Sequence, residues 1–283
     1  MRINTNVASL TAQEANANTN IRIGSSLEKL STGLKINKAS DDGSGLAIAD
    51  KLRTQASSLT QGVANGNSAV ALIQIADKAM SETSNILDVI KQKLLQAATA
   101  TTSSAGQDAI QKDITKLVAQ VDNIAKSTNY NGLTLLQGAT GAAEVTDKIF
   151  QMGETTNDTI SMTASVRANT SGLGLETITD VTGDTATANA AASRGHLATV
   201  DTAIDTLNGW RADYGSTQNQ VESSVRNMST AVTNIKAAES VIRDVDYAAE
   251  SANFNKQNII AQAGTYAISQ ANAASQNVMR LLQ

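Results

Sequence analysis

At 283 residues the chain can hold one or two domains, and its net charge of −4, with acids and bases mixed, gives no basic footprint for nucleic acid. It has no cysteine, which excludes disulfides and cysteine metal sites, no proline, and only one Trp, four Tyr and two Phe. Its apolar residues lean on alanine, which suits narrow helix–helix interfaces, and no apolar run approaches the roughly 20 residues of a membrane span.

The opening text Met1-Arg2-Ile3-Asn4-Thr5-Asn6 has no continuous apolar segment and no cleavage site, so no ordinary secretory signal is expected. Residues 1 to 32 read as a helix with a weak stripe of Ile3, Val7, Leu10, Ala17 and Ile21. The stripe then slips by two residues to Ile23, Leu27 and Leu30, and the many Asn make the segment marginal by itself. Gly33 breaks this helix. The run Ala39 to Asp50 then reads as a turn and helix entry with Asp41 or Asp42 as N-cap. A phosphate loop is excluded there: no Gly-Lys-Ser/Thr follows, and two acids would repel the ligand. A calcium loop lacks its alternating acids and distal Glu.

A long helix is expected from about Leu46 to Ala98. Steps of three and four give Leu52, Ala56, Leu59, Val63, Gly66, Val70, Ile73, Asp77, Met80, Ser84, Leu87, Lys91, Leu94 and Ala98. Such spacing is a heptad seam, which keeps one face of a helix against a partner. A Thr- and Ser-rich loop precedes a third helix, Gln107 to Ser127, with Ile110, Ile114, Leu117, Val121 and Ile124 in its stripe. Asn129-Tyr130-Asn131-Gly132-Leu133 ends that helix in turn chemistry.

From Leu135 to Thr187 the seams vanish and Gly, Thr and Ser dominate. Lys148 to Gly153 and Thr159 to Ala164 alternate at period two around Glu154 to Asp158, a β-hairpin signal. The strongest seam follows, on a helix from about Ala186 to Ile242: Leu197, Val200, Ile204, Leu207, Arg211, Tyr214, Gln218, Val221, Val225, Met228, Val232, Ile235, Glu239 and Ile242. A single apolar stripe is unstable alone in water, so the seams must pair. Arg243 to Tyr247 is a charged joint, and a last helix carries a mostly alanine stripe of Ile260, Ala263, Ala267, Ala271, Ala274, Val278 and Leu281.

The expected fold is mainly α: a long antiparallel helical bundle or coiled coil with one small β-hairpin region. Its rod core is assigned to Leu52, Leu59, Val70, Ile73, Leu87, Leu94, Ile114, Leu117, Leu197, Ile204, Leu207, Val221, Val225 and Ile235. His196 is the one histidine and has no nucleophile signature or second metal ligand beside it. Trp210 flanks the seam, and the acids are scattered singly on helix faces. No residue constellation supports a reaction, a metal or a cofactor.

Both ends carry a further likeness. Ile3-Asn4-Thr5-Asn6, Leu27 to Asn37, Asp41 to Ala49, Asn129 to Gly132, Phe150 to Gly153, Arg211 to Asn219, Asp244 to Glu250, Gln262 to Thr265 and Ser275 to Leu282 together resemble bacterial flagellin. The likeness covers nearly all of the chain outside about residues 138 to 190. It implies a non-enzymatic filament subunit for swimming motility that forms a helical homopolymer. It also implies secretion to the extracellular flagellum, unfolded, through the type III export apparatus, with an export chaperone, a cap and hook-junction proteins as partners. The alternatives are a flagellin-related hook–filament junction protein, or a helical module that binds partners through its seams.

The resemblance further implies a terminal coiled-coil domain from residues 1–44 plus 243–283, forming the inner filament core. A rod-shaped helical domain of residues 45–242 follows from it, with a hairpin at about 147–166, a short variable linker at about 138–187, and no outer domains. Assembly positions on the terminal helices are Ile3, Val7, Leu10, Ile21, Leu27, Leu30, Ile260, Ala263, Ala267, Val278 and Leu281. Because their stripes are poor in large apolar residues, the two terminal helices are expected not to hold together as a lone pair. Many flagellins present an Arg, a Glu and a Leu to an innate-immune Toll-like receptor; the matching positions here are Val89, Gln92 and Lys93, which implies weak recognition.

Overall fold

Helix α1 (Val7–Thr32) opens where the Ser9 amide donates to the Asn6 side chain at 3.2 Å, and it ends at Gly33, whose φ of 75° is a left-handed cap. The two adjacent aspartates then divide the work of the following turn. Asp41 accepts the Asn37 and Lys38 amides, each at 3.1 Å, and folds the turn. Asp42 accepts the Ser44 and Gly45 amides at 3.1 and 2.9 Å, and so is the N-cap of α2 (Gly43–Ala97). The Asn37 amide on Asp41 and the Gly45 amide on Asp42 hold both carboxyls below the usual carboxylate range. Helix α3 (Ser104–Ser127) is capped by Ser103, whose hydroxyl accepts the Gly106 amide at 3.3 Å.

Strands β1 (Asn129–Tyr130) and β2 (Leu133–Thr134) pair antiparallel, as do β3 (Lys148–Gln151) and β4 (Thr159–Met162). A 3-10 turn, Leu175–Thr179, leads toward α4 (Ala186–Arg243) and α5 (Tyr247–Leu281). The first strand pair was expected only as a turn, because two residues per strand are too few to show a period. This computed structural model describes residues 5–99, 101–137, 147–162, 166–179 and 186–281, without the side chains of 186 and 278–281. Ile3, residues 138–146 of the expected linker, and the side chains of Val278 and Leu281 lie outside the described residues. The chain divides into two compact units, residues 1–56 with 233–283 and residues 57–232.

In the second unit, Ala69, Ile73, Ala76, Met80, Thr83, Leu87, Ile90, Leu94 and Ala97 of α2 are buried at steps of three and four. The expected stripe shares Ile73, Met80, Leu87 and Leu94 with this face but is rotated from it. Val70, Asp77, Ser84, Lys91 and Ala98 are only half-buried on its flank. The cause is a second partner. Asp77 and Lys91 pair with Arg211 (2.9 Å) and Asp201 (2.5 Å) of α4, while Lys93 pairs with Asp113 of α3 at 2.9 Å. A helix held on two sides buries a wider arc than a two-stranded seam requires.

From α3, Ile110, Ile114, Val118 and Val121 enter the core, and from α4, Val200, Leu207, Tyr214, Val221 and Met228. Of the assigned core residues, Leu59, Val70, Leu117, Leu197, Ile204 and Val225 are half-buried and packed against it, as is Trp210. Leu52 and Ile235 belong to the other unit and are half-buried there. The interval read as hairpin and linker also supplies core, through Leu136, Met152, Ile160, Met162, Val166, Leu173, Leu175 and Ile178. Asp122 anchors it by accepting the Thr170 amide and hydroxyl at 2.8 and 2.6 Å.

Tyr214 is fully buried, and its hydroxyl finds no hydrogen-bond partner among the described residues. Burial pushes that hydroxyl from 10.0 up to about 12. The unfolded chain therefore releases this proton first as pH rises, so folding stability falls from about pH 10 toward 12, by at most about 2–3 kcal/mol, and is unaffected below pH 10. Tyr214→Phe is expected to remove that alkaline loss. At neutral pH it should leave the protein as stable or about 1 kcal/mol more stable, because an unsatisfied buried hydroxyl is lost. Denaturant melts of both proteins at neutral and alkaline pH check this. A clear loss of stability at neutral pH would mean that the hydroxyl is satisfied in solution.

Candidate assembly surface

In the first unit α1 and α5 lie side by side and antiparallel. The Asn6 side-chain amide donates to the Ala271 carbonyl at 3.0 Å near one end, Asn16 faces Gly264 in the middle, and Ser26 meets Glu250 and Asn253 toward the other. The facing rows are regular. A row of buried and half-buried positions runs along α1 through Ser9, Ala12, Asn16, Thr19, Ile23, Ser26 and Leu30, and a half-buried row along α5 through Phe254, Gln257, Ala261, Gly264, Ile268, Ala271 and Ser275. Both step by three and four without a slip, so this is a heptad seam made mostly of small and polar side chains. Ser9, Thr19 and Ser26 are buried in it. Thr19 satisfies its hydroxyl by donating to the Ala15 carbonyl at 2.8 Å, and Ser26 donates to the Glu250 carboxylate.

This seam corrects the expectation that the terminal helices would not pair. A hydrophobicity scan misses a seam in which Ser, Thr, Asn, Gln, Gly and Ala outnumber the large apolar residues. Ile23, Leu30, Phe254 and Ile268 are the large apolar side chains within it, and most of the others lie outside. Val7, Leu10, Ile21 (71 % exposed) and Leu27 on α1, and Ile259 (66 %), Ile260 and Tyr266 (73 %) on α5, face away from the helix pair. Ala263 and Ala267 are exposed as well, and Leu30 is half-buried. With many large apolar groups outside and mostly small or polar groups inside, the pair departs from the usual arrangement, as a helix pair that meets further partners does.

The joint that leads into this pair is stitched by the backbone. Leu34 bridges Asp244, the Lys35 amide donates to the Arg243 carbonyl at 2.7 Å, and the Val245 amide donates to the Gly33 carbonyl at 3.0 Å. Arg243 adds a side-chain bond to the Ile36 carbonyl at 3.4 Å, and Asp246 caps α5 by accepting the Ala248 and Ala249 amides at 2.9 and 3.1 Å. Residues 243–245, part of the stretch 243–247 read from the sequence as a charged joint, thus form a short two-sided clamp with residues 33–36. Among the described residues, no helix is long and apolar enough to cross a membrane, and no group of His, Cys, Asp or Glu could hold a metal ion. Elsewhere on α2, Val89 and Gln92 are exposed, and Lys93 is half-buried in its pair with Asp113.

Comparison with known proteins bears on the same two ends. The family described as the bacterial flagellin N-terminal helical region matches residues 3–140, and the bacterial flagellin C-terminal helical region matches residues 197–282. The chain is 36 % identical over 292 residues to the flagellar filament 33 kDa core protein of Treponema phagedenis, with all of both chains covered. It is 34 % identical over 304 residues to the flagellin of Bacillus subtilis, again with both chains covered in full. Among solved structures, a putative flagellar hook-associated protein from Vibrio parahaemolyticus superposes with a TM-score of 0.59 at 10 % identity, covering 71 % of this chain and 99 % of that one. A likeness at that identity speaks for the fold alone. Matched end to end by short filament proteins, the chain belongs to the bacterial flagellin family: it is a structural subunit of the flagellar filament, not an enzyme.

Proposed function

We propose that residues 1–44 with 243–283 form the inner core of the filament, and that subunits join there by burying the outward apolar faces of α1 and α5 against neighbouring copies. Residues 45–242, the helical domain with the β-hairpin, make up the rest of the subunit. The inverted burial of the α1–α5 pair carries this reading: Val7, Leu10, Ile21, Leu27 and Ile260 are exposed in the single chain, while Ser9, Thr19 and Ser26 are inside. Burying apolar side chains on association is worth about 1.5–3 kcal/mol for each one fully covered, which repeated contacts along a helical polymer multiply. The subunit leaves the cell unfolded through the type III apparatus, with an export chaperone before export and a cap and hook-junction proteins outside, and functions in the extracellular flagellum. Electron microscopy of purified protein after addition of salt or filament seeds tests the polymer: long filaments are expected, and discrete particles would overturn the reading.

Receptor recognition follows from positions 89, 92 and 93. Val89 cannot make the multidentate charged contacts of an arginine, and Lys93 places a charge where the family offers an apolar contact. The unmodified protein is expected to activate the Toll-like receptor weakly, and Val89→Arg, Gln92→Glu and Lys93→Leu combined are expected to raise the response. The Lys93–Asp113 pair is open to solvent and screened, so its loss costs little and the fold survives the substitution. A reporter-cell assay decides; strong signalling by the unmodified protein would refute this.

A further inference from the structure

The chain contains three Asn-Gly dipeptides: Asn65-Gly66, Asn131-Gly132 and Asn208-Gly209. In such a pair the glycine amide nitrogen can attack the asparagine side-chain carbonyl carbon, because no following side chain blocks the approach. The attack also needs a nitrogen free of hydrogen bonds and a backbone able to bring it onto that carbon. As sequence, the three sites are equivalent in this respect. The fold separates them.

Gly66 lies deep within α2 and Gly209 within α4, where each amide is held in the i→i−4 ladder. Asn65 is tied further: Gln61 donates to its Oδ1 at 3.0 Å, and its own Nδ2 donates to the Gln151 carbonyl at 3.0 Å. Asn131 and Gly132 instead occupy the two central positions of the tight turn between β1 and β2, with φ of 50° and 80°. Both are exposed, and the turn is closed by the Tyr130–Leu133 rung with Asn129–Thr134 behind it. The central amides of such a turn take no part in the strand ladder. Neither the Asn131 side chain nor the Gly132 amide makes a hydrogen bond among the described residues.

We propose that Asn131 is a site of spontaneous self-modification. The Gly132 nitrogen gives its proton to hydroxide and bonds to the Asn131 Cγ, the Cγ–Nδ2 bond breaks, and the departing nitrogen takes a proton from water and leaves as ammonia, regenerating the hydroxide. The result is a five-membered cyclic imide. Water then opens one of its two carbonyl–nitrogen bonds, producing either aspartate or isoaspartate at 131. No oxidant, metal or enzyme takes part. Aspartate preserves the turn, since Asp tolerates left-handed backbone as Asn does. Isoaspartate adds a methylene to the main chain inside a two-residue turn, and so loosens the Tyr130–Leu133 rung and the Leu135-to-Thr128 bond beyond it (3.2 Å), next to buried Leu135 and Leu136. Each converted subunit gains one negative charge.

The test is ageing of the full-length folded protein in mildly alkaline buffer, followed by digestion, peptide mass mapping and chromatographic separation of isoaspartate. The mass gain of amide-to-acid conversion is expected at 131 at least about ten-fold faster than at 65 and 208, because those sites must first open a helix, and each 1.36 kcal/mol of opening slows conversion tenfold. In denaturant all three should convert at comparable rates. An Asn131→Ala protein should lose the fast site and retain the other two. Equal rates at the three sites in the folded chain would overturn the proposal, as would persistence of the difference in denaturant.

Discussion

Replacing Ile21 and Ile259 with aspartate should abolish filament growth while leaving the single chain folded. In the isolated chain these side chains are 71 % and 66 % exposed, so a carboxylate at either place stays hydrated and disturbs little. If the faces they lie on are buried between copies, each aspartate becomes an unpaired charge in a closing interface, which costs several kcal/mol per site and recurs at every subunit added. Matching thermal melts of variant and parent, with no filaments from the variant by electron microscopy under seeding, is the expected result. Filaments growing at the parental rate would place the interface elsewhere; a collapsed melt would show that these side chains already support the monomer.

Removal of residues 1–32 or 251–283 should likewise leave residues 57–232 folded and unable to polymerise, since each deletion takes away one strand of the α1–α5 pair. The pair is also the part of the monomer expected to open first. Its seam buries Ser9, Thr19 and Ser26 where a stable coiled coil would bury Leu or Ile, while fixing each backbone residue costs about 1–2 kcal/mol. Amide exchange and limited proteolysis should therefore report fast opening at both ends of the monomer and protection of both in the polymer. Ends as resistant as the middle in the free chain would contradict this.

The second large effect is expected at the notch in α2. Gly62 and Gly66 are buried where Met152, just past the end of β3, crosses the helix. A methyl group on Gly62 would overlap the Met152 carbonyl, and one on Gly66 would overlap Val225 and lie 2.7 Å from the Met152 methyl carbon. Only glycine lets the backbone of the hairpin and the face of α4 come this close. Gly66→Leu must push Met152 and Val225 away together, and overpacking of this kind costs about 1–3 kcal/mol or more. A melting temperature lower by roughly 4–10 °C is expected, with new protease cutting near the exposed Glu154–Asp158 tip as the hairpin lifts. Gly209→Ala is the control. Nothing lies within 4 Å of its added methyl group, so it should be neutral or stabilising by up to about 1 kcal/mol. A Gly66→Leu protein that melts with the parent would mean that the notch is not closed in solution.

The sequence by itself determined the helices, most of their ends and which faces meet a partner. Periodicity is a local property written in every turn, and Asn6, Asp42 and Ser103 act on amides within three residues of themselves. Only the tertiary structure decided how many partners share a face, and so rotated the α2 stripe from Asp77 and Lys91 to Ala76 and Ile90. It alone placed Met152 over Gly62 and Gly66, a contact across nearly ninety residues that neither glycine announces. It also drew Val166, Leu173 and Ile178 of an unpatterned segment into the core, because an irregular chain takes its shape from the groove it fills. At the termini the sequence pointed to the large apolar side chains, and the structure turned most of them outward from a seam made mostly of small and polar ones, because only the pairing of α1 with α5 decides which side of each helix faces in.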